Sequence, residues 1–243
     1  NISHEIRTPM SLIISPLQQL MAKDKDAECR KLYSTIQRNA ERILQLVNQL
    51  MDIRKIDKGQ MSLMFKKAEI VSFTRDLLES FEQQTRVKKL DLKFHTSAPE
   101  IEMWIDPKNF DKIILNLLSN ACKFTPENGQ VEISLSTGED THLPQNAPLR
   151  RYVELTVADS GIGIASTERE HIFERFYQIR NSQNNSNIGT GIGLHLTRSL
   201  VELHYGNIHV EDNGEGRPGS RFIIRLPLGN GHLKKEEIEE ATT

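Results

Sequence analysis

Apolar residues recur at steps of four and three in the first stretch of the chain, at Ile6, Met10, Ile13, Leu17 and Leu20, the spacing of one stripe on a helix. A second stripe, Ile36, Ala40, Ile43, Val47 and Leu50, lies in a segment rich in Gln, Arg, Glu and Leu, and the polar run from Lys23 to Asp26 supplies a turn between the two. The spacing predicts a helical hairpin over residues 1–58. A hairpin of that length buries too little apolar surface to be stable alone, whereas two of them side by side make a four-helix bundle with a shared core. A homodimer is therefore expected.

Beyond Gly59 the period shortens, and a domain boundary is expected near residues 59–61. Extended segments are predicted at 61–65, 90–95, 102–105, 130–137 and 152–158, and a final hairpin at 208–211 and 221–226. Helices are predicted at 71–86, 165–173 and 193–204. A further helix over 106–123 opens on Asp106 as N-cap with Pro107 at the first helical position. The expected architecture is α+β, with helices on one face of a mixed sheet. Residues 62–228 make this second domain, and 229–243 read as a solvated tail or linker.

The chain has 243 residues, 37% apolar and 26% charged, which suits folded domains and not general disorder. Its 31 basic and 33 acidic side chains nearly cancel, so no global charge favours nucleic acid or an anionic membrane surface. The two cysteines, Cys29 and Cys122, lack the spacing of a zinc or redox site and fit a reducing compartment. No apolar run is long enough to span a bilayer.

Candidate chemistry sits at four places. His4 lies about 200° around an ideal helix from Ile6, since each residue turns about 100°, so its imidazole points away from the apolar stripe. Its neighbour Glu5 could accept the Nδ1 proton and free the Nε2 lone pair for attack on phosphorus, and Thr8 shares its face. Within 106–123, Asn116, Asn120 and Lys123 form one polar row beside the apolar face. An asparagine oxygen with a lysine close by can hold a Mg²⁺–ATP triphosphate. Asp159 ends a predicted strand and is followed by Gly161 and Gly163, so its carboxylate can accept a hydrogen bond from an adenine amine while the glycines let backbone approach the base. Gly189, Thr190, Gly191 and Gly193 lead into a helix whose first amides can face phosphate. A dinucleotide-binding turn is excluded because Ser166 stands at the third glycine position. A Walker A loop is absent from the chain. The polar stretch 181–187 between two glycine segments reads as a lid.

Taken in this order, the segments resemble the cytoplasmic core of sensor histidine kinases: the H box at His4, N box from Asn116 to Lys123, G1 box from Asp159 to Gly163, F box from Phe173 to Phe176 and G2 box from Gly189 to Gly193. The resemblance covers residues 1 to about 228. It implies a dimerisation and histidine phosphotransfer domain over 1–58 and, over 62–228, an ATP-binding domain of the fold shared with gyrase, Hsp90 and MutL. It implies that His4 is phosphorylated with help from Glu5, that Asn116 binds Mg²⁺, Lys123 contacts phosphate and Asp159 reads adenine. Glu5 and Thr8 together imply phosphatase activity toward a response-regulator receiver domain, the expected partner in trans or on the same longer chain. Gln178 departs from the family in standing where many members carry a lid arginine, for which Arg180 is a substitute.

The chain begins inside a motif without methionine, so the resemblance makes it the cytoplasmic portion of a longer membrane-bound sensor, similar to hybrid kinases. No nucleic-acid partner and no membrane contact of the fragment itself are expected. Two other functions fit the residues less well. A clamp-type ATPase of the related fold needs a glutamate just before Asn116, where only Asp111 stands. A noncatalytic scaffold would not need the phosphate and base contacts that are present.

Overall fold

The structure is a computed structural model that describes residues 2–179, 189–214 and 216–239, with side chains from Ile6 onward. It divides into two compact units, Asn1–Met61 and Ser62–Thr243. The side chains of His4 and Glu5, Arg180 and the polar stretch 181–187 lie outside the described residues.

The first unit is a hairpin of α1 (Ile2–Lys23) and α2 (Ala27–Asp57). Helix α1 runs through Pro9 and Pro16, each of which omits one intrahelical hydrogen bond. The polar turn is fixed by two carboxylates. Asp26 caps α2 by accepting from the amides of Glu28 (2.8 Å) and Cys29 (3.3 Å). Asp24 accepts from the Asp26 amide (2.9 Å) and the Tyr33 hydroxyl (3.0 Å). Along the helices, each apolar stripe splits into two columns. Met10, Leu17, Ala40 and Ile53 are buried in the hairpin's own seam, whereas Ile13, Leu20, Ile36, Ile43 and Leu50 remain between 39 and 49% exposed. The seam thus leaves part of each apolar stripe exposed.

The second unit is a two-layer sandwich. Strands β2 (Asp91–Thr96), β4 (Gln130–Glu139), β5 (Arg151–Asp159), β6 (Asn207–Asp212) and β7 (Ser220–Pro227) form one sheet in the order β2-β4-β5-β7-β6, parallel only between β2 and β4. A small antiparallel pair joins β1 (Lys66–Glu69) to β3 (Glu102–Ile105). Alternation puts Val131, Ile133, Leu135, Val153, Leu155, Val157, Phe222, Ile224 and Leu226 into the core. They share it with the apolar faces of α3 (Ile70–Glu79), α5 (Pro107–Phe124) and α6 (Gly193–Leu203).

Three expected elements differ from what forms. The helix expected over 71–86 breaks at Ser80 and Phe81, where amides of both residues bond three residues back, to Leu77 and Leu78. That tight turn buries Phe81 and starts a separate α4 (Glu82–Lys88), closed by Lys89 in the left-handed region (φ 53°). Residues 165–173 make turns and a single 3₁₀ turn, His171–Phe173, not the expected helix. Its only large apolar residues, Ile172 and Phe173, sit at its end, so no stripe exists to hold a helix on the core. The extended segment expected at 61–65 pairs only at Phe65.

Within the tail, residues 237–239 pair with the fold. Phe65, 1% exposed, donates its amide to Glu237 O (2.7 Å) and accepts from the Glu239 amide (2.8 Å), a parallel bridge around Ile238. The Tyr205 hydroxyl donates to the Glu237 carboxylate (2.8 Å), and Lys66 pairs with Glu239 at 3.0 Å. Among the described residues, no helix is long and apolar enough to cross a membrane.

The start of α5 is pinned by buried polar groups. Asp106 Oδ1 accepts from the Asn109 amide (3.0 Å) and Oδ2 from the Met64 amide (3.0 Å). The Asp106 amide donates to Nε2 of His204 (3.2 Å), whose Nδ1–H donates to Leu200 O (2.7 Å). With both ring nitrogens engaged in this way the imidazole is neutral, and burial holds its pKa below the ordinary 6.5. The unfolded chain therefore binds this proton more readily than the folded one. Stability from His204 is expected to be complete above about pH 6.5 and to be lost as pH falls toward the depressed folded value. Urea titrations of the whole protein across that range measure it, and His204→Gln is expected to flatten that part of the profile.

Candidate active site

Helices α5 and α6 meet through their polar rows. Asn116 Nδ2 donates to the buried Thr197 hydroxyl at 2.7 Å, which leaves Oδ1 as the amide's available acceptor. That oxygen lies where a side chain on Gly193 would begin, 2.4 Å from an ideal β-carbon there. Glycine at the first position of α6 is thus what lets the asparagine lie against the helix N-terminus. Lys123 is two turns further along α5. Its Nζ is 4.8 Å from the centroid of the Phe124 ring and 3.4 Å from the ideal β-carbon position of Gly189. Asn120, half-buried, lies on the same row.

Asp159 ends β5, 6% exposed, and its Oδ1 accepts from the Gly161 amide at 2.8 Å. Burial raises its pKa above 3.8, while the amides of Gly161 and Ser220 pull it back. A carboxylate has about four acceptor positions, so two amides leave capacity for an incoming N–H donor. The loop after it rests on the β6–β7 turn. Gly163 has φ +75°, with its ideal β-carbon 3.3 Å from Gly219 O, and a β-carbon on Gly219 (φ +109°) would fall 1.7 Å from Asp159 O. Asn213 Nδ2 also donates to Asp159 O, at 2.9 Å.

The glycine segment before α6 is anchored on both sides. Gly191 has φ +67°, and its carbonyl accepts from the Phe176 amide at 2.8 Å. Thr190 Oγ1 accepts from the Ile192 amide at 3.4 Å. Gln178, in the place of a lid arginine, donates from Nε2 to Gly189 O at 3.0 Å. It ties together the two ends of the segment whose interior lies outside the described residues. His195 donates from Nδ1 to Phe173 O (3.0 Å) and accepts from Arg175 Nε (2.9 Å), holding the F-box turn against α6.

The structure therefore gathers Asn116, Lys123, Gly189 and Gly193 at one place, and joins Asp159 to Gly161 and Gly163 at the end of β5. Thr8 is an exposed residue of α1, in the first unit. Sequence reasoning passed over Thr197, Gly219 and Ser220. Thr197 stands four residues after Gly193 and so on the same helical face, a signal that was available. Gly219 looked like any hairpin glycine. Among the described residues no group of three or more His, Cys, Asp or Glu could hold a metal ion. A divalent ion here would thus rely on the Asn116 oxygen, with phosphate and water for the rest.

A glycine-lined site where β5 ends beside α5 and α6, on the same chain as a helical hairpin, is an arrangement suited to a two-part nucleotide-binding protein. Residues 105–230 match the family described as Histidine kinase-, DNA gyrase B-, and HSP90-like ATPase, and residues 1–59 match the His Kinase A (phospho-acceptor) domain. The chain belongs to this family. It is 38% identical over 229 residues to the sensor histidine kinase TmoS of Ectopseudomonas mendocina, covering 93% of this chain and 22% of that protein. It is 34% identical over 244 residues to histidine kinase P4 of Formosa agariphila, covering 98% of this chain and 17% of that protein. The chain thus spans about a fifth of the length of these relatives. Full-length ShkA, solved in complex with AMPPNP, superposes with a TM-score of 0.74 at 26% identity over 94% of this chain and 45% of that one.

The contact between Gly219 and Asp159 gives a direct test of the geometry. Gly219→Ala is expected to lose at least about 2 kcal/mol of stability, from a left-handed backbone and a clash with main chain that cannot swing aside. Thermal unfolding beside Gly214→Ala measures it. Gly214 also has positive φ but nothing within 4 Å, so its loss is expected to be smaller.

Proposed function

We propose that the chain is the catalytic core of an ATP-dependent protein-histidine kinase, in which His4 takes the γ-phosphoryl group of ATP held by the second unit. The phosphoryl group then passes to an aspartate of a response-regulator receiver domain, in trans or on the same longer chain. The observation that carries this reading is the two-ended site. A buried carboxylate, Asp159, stands at one end, and a neutral oxygen with an ammonium, Asn116 and Lys123, lies against the glycine segment 189–193 at the other. A base and a triphosphate need those two chemistries. The His Kinase A (phospho-acceptor) match over residues 1–59 supports an acceptor in the first unit.

Each residue then has a task. Asp159 accepts from the adenine amine, and because it is desolvated it gains more from that donor than an exposed carboxylate would. Lys123 and the amides of the segment leading into α6 face phosphate oxygens. Asn116 would hold Mg²⁺ through Oδ1, with Thr197 fixing which amide atom is presented. When bound, the ion offsets the charge of the phosphates. His4 Nε2 forms a bond to the γ-phosphorus as the bond from phosphorus to the ADP oxygen breaks, and Glu5 takes the imidazole Nδ1 proton. Glu5 and Thr8 also serve the reverse traffic, Thr8 orienting the water that hydrolyses a phosphorylated receiver domain. Gln178 is neutral and its amide is bonded to Gly189, so a cationic phosphate contact from the lid falls to Arg180.

The second half of the proposal is the homodimer. The outward column Ile13, Leu20, Ile36, Ile43 and Leu50 repeats at intervals of seven within each helix, the spacing of a bundle seam. Light scattering is expected to give a dimer mass, and Ile36→Glu combined with Ile43→Glu a monomer that keeps its nucleotide affinity. A monomer mass for the unsubstituted protein at micromolar concentration would count against the bundle.

Incubation with γ-labelled Mg²⁺–ATP tests the chemistry. The label is expected on His4 as a phosphoramidate, lost in acid and stable in alkali, because protonation of the nitrogen makes it a good leaving group. His4→Ala is expected to abolish the label and to leave ATP affinity unchanged. Acid-stable label, or full labelling of that variant, would overturn the assignment.

A further inference from the structure

We infer that Lys88 is a positioning residue that sets the distance between the base end and the phosphate end of the nucleotide site, resting on the reading of Asp159 and Lys123 given above. Lys88 lies in the last turn of α4, outside both the glycine segments and the polar row of α5. Its ammonium donates to three main-chain carbonyls at the end of α5: Cys122 O at 2.7 Å, Lys123 O at 3.0 Å and Thr125 O at 2.7 Å. An ammonium has three protons, and all three are spent here, so Lys88 holds backbone and has no donor left for a ligand.

The final carbonyls of a helix have no partner within it, and they form its negative pole. Three such oxygens turned toward one point would repel one another without a cation between them. Lys88 removes that repulsion and closes residues 122–125 into a fixed turn, which Thr125 tightens by donating from both its amide (3.0 Å) and its hydroxyl (2.6 Å) to Ala121 O.

The closed turn bears directly on the loop after β5. The one carbonyl of the group that Lys88 does not hold, Phe124 O, is 2.6 Å from an ideal β-carbon on Gly161. A β-carbon on Gly129 would lie 2.3 Å from Thr125 Cγ2 and 2.9 Å from Ser160 Oγ. Ser160 and Gln130 exchange two bonds, from the Gln130 amide to Ser160 Oγ (2.7 Å) and from the Ser160 amide to Gln130 O (2.9 Å). Residues 124–130 and 159–161 are therefore interlocked main chain to main chain, with Lys123 at one margin of the interlock and Asp159 at the other. The Lys88 ammonium, from the neighbouring helix α4, holds the α5 end of that assembly in register.

Lys88→Met keeps the length of the stem and removes the donors. Its neighbour Lys89 is a matched control, because it makes the same charge loss on neutralisation while its ammonium pairs at the surface with Glu127 (3.2 Å). Affinities for Mg²⁺–ATP and Mg²⁺–GTP are measured by calorimetry on the whole protein, well below each variant's Tm. Lys88→Met is expected to weaken ATP binding about tenfold, the size of roughly 1.4 kcal/mol of lost positioning, and to narrow the preference for ATP over GTP. Lys89→Met is expected to change neither. A lower Tm with both affinities unaltered would make Lys88 a plain helix cap and overturn the inference. Should Lys88→Met fail to fold, Gly161→Ala presses on the same contact with Lys88 intact and is expected to show the same loss, so an unchanged affinity there overturns it equally. Asp159→Asn separates the two levels. If it leaves ATP affinity untouched, the reading of the base end is wrong, whereas a loss there without one in Lys88→Met removes the positioning role alone.

Discussion

The structure of the second unit depends on where α5 begins. Each residue of a helix turns the next by about 100°, so a start displaced by one position would swing Asn116, Asn120 and Lys123 out of the site. Asp106 prevents that displacement. Its carboxylate takes the amides of Asn109 and Met64, and its own amide is taken by His204. The strand-like approach from residue 64, the first turn of α5 and the end of α6 are thereby fixed to one buried group. Such a residue could not be left half-satisfied, because a desolvated carboxylate without donors costs more than the cap contributes.

The other end of α5 is held by charge of the opposite sign. A carboxylate at the amino end and an ammonium at the carboxyl end match the helix dipole, and between them the helix shows an apolar face to the sheet and a polar row to the candidate site. The site itself is largely backbone. Gly163, Gly191 and Gly219 take positive φ, and Gly161, Gly193 and Gly219 stand where any β-carbon would strike a neighbouring segment. Those neighbours, the Phe124 and Asp159 carbonyls and the Asn116 side chain, all belong to this same chain, which is why the glycines are spread over three loops and why single substitutions at them are expected to act on shape before they act on chemistry.

What could be read from the residues was what is local. Asp106 with Pro107 announces a helix start because cap and first turn are adjacent in the chain, and β4, β5 and β7 follow from alternation. The break at Phe81 was hidden because its cause is burial of one ring against elements elsewhere in the chain. The segment 165–173 misled because charged residues with good helix propensity had no apolar stripe to anchor them. The hairpin's stripes were legible as apolar, yet not that each divides into a buried and an exposed column. At the site, Asn116, Lys123, Asp159 and the glycine segments were visible as an ordered set. Thr197 and Gly219 act through contacts across 81 and 60 residues of chain, from Asn116 and Asp159 respectively, and Lys88 reaches its carbonyls across 34 to 37. No short-range pattern carries those.

The pairing of Phe65 with residues 237–239 bears on how the nucleotide-binding unit can be handled in isolation. The family match stops at residue 230, which makes that position an inviting place to cut. A fragment ending there would keep every residue of the nucleotide site. It would also strip a strand partner from the Phe65 N–H and C=O, uncover a ring that is 1% exposed and leave the Tyr205 hydroxyl without its carboxylate. An uncovered backbone edge beside a bare aromatic ring is a template for recruiting another chain, so self-association of such a fragment would report on the cut and not on the uncut protein.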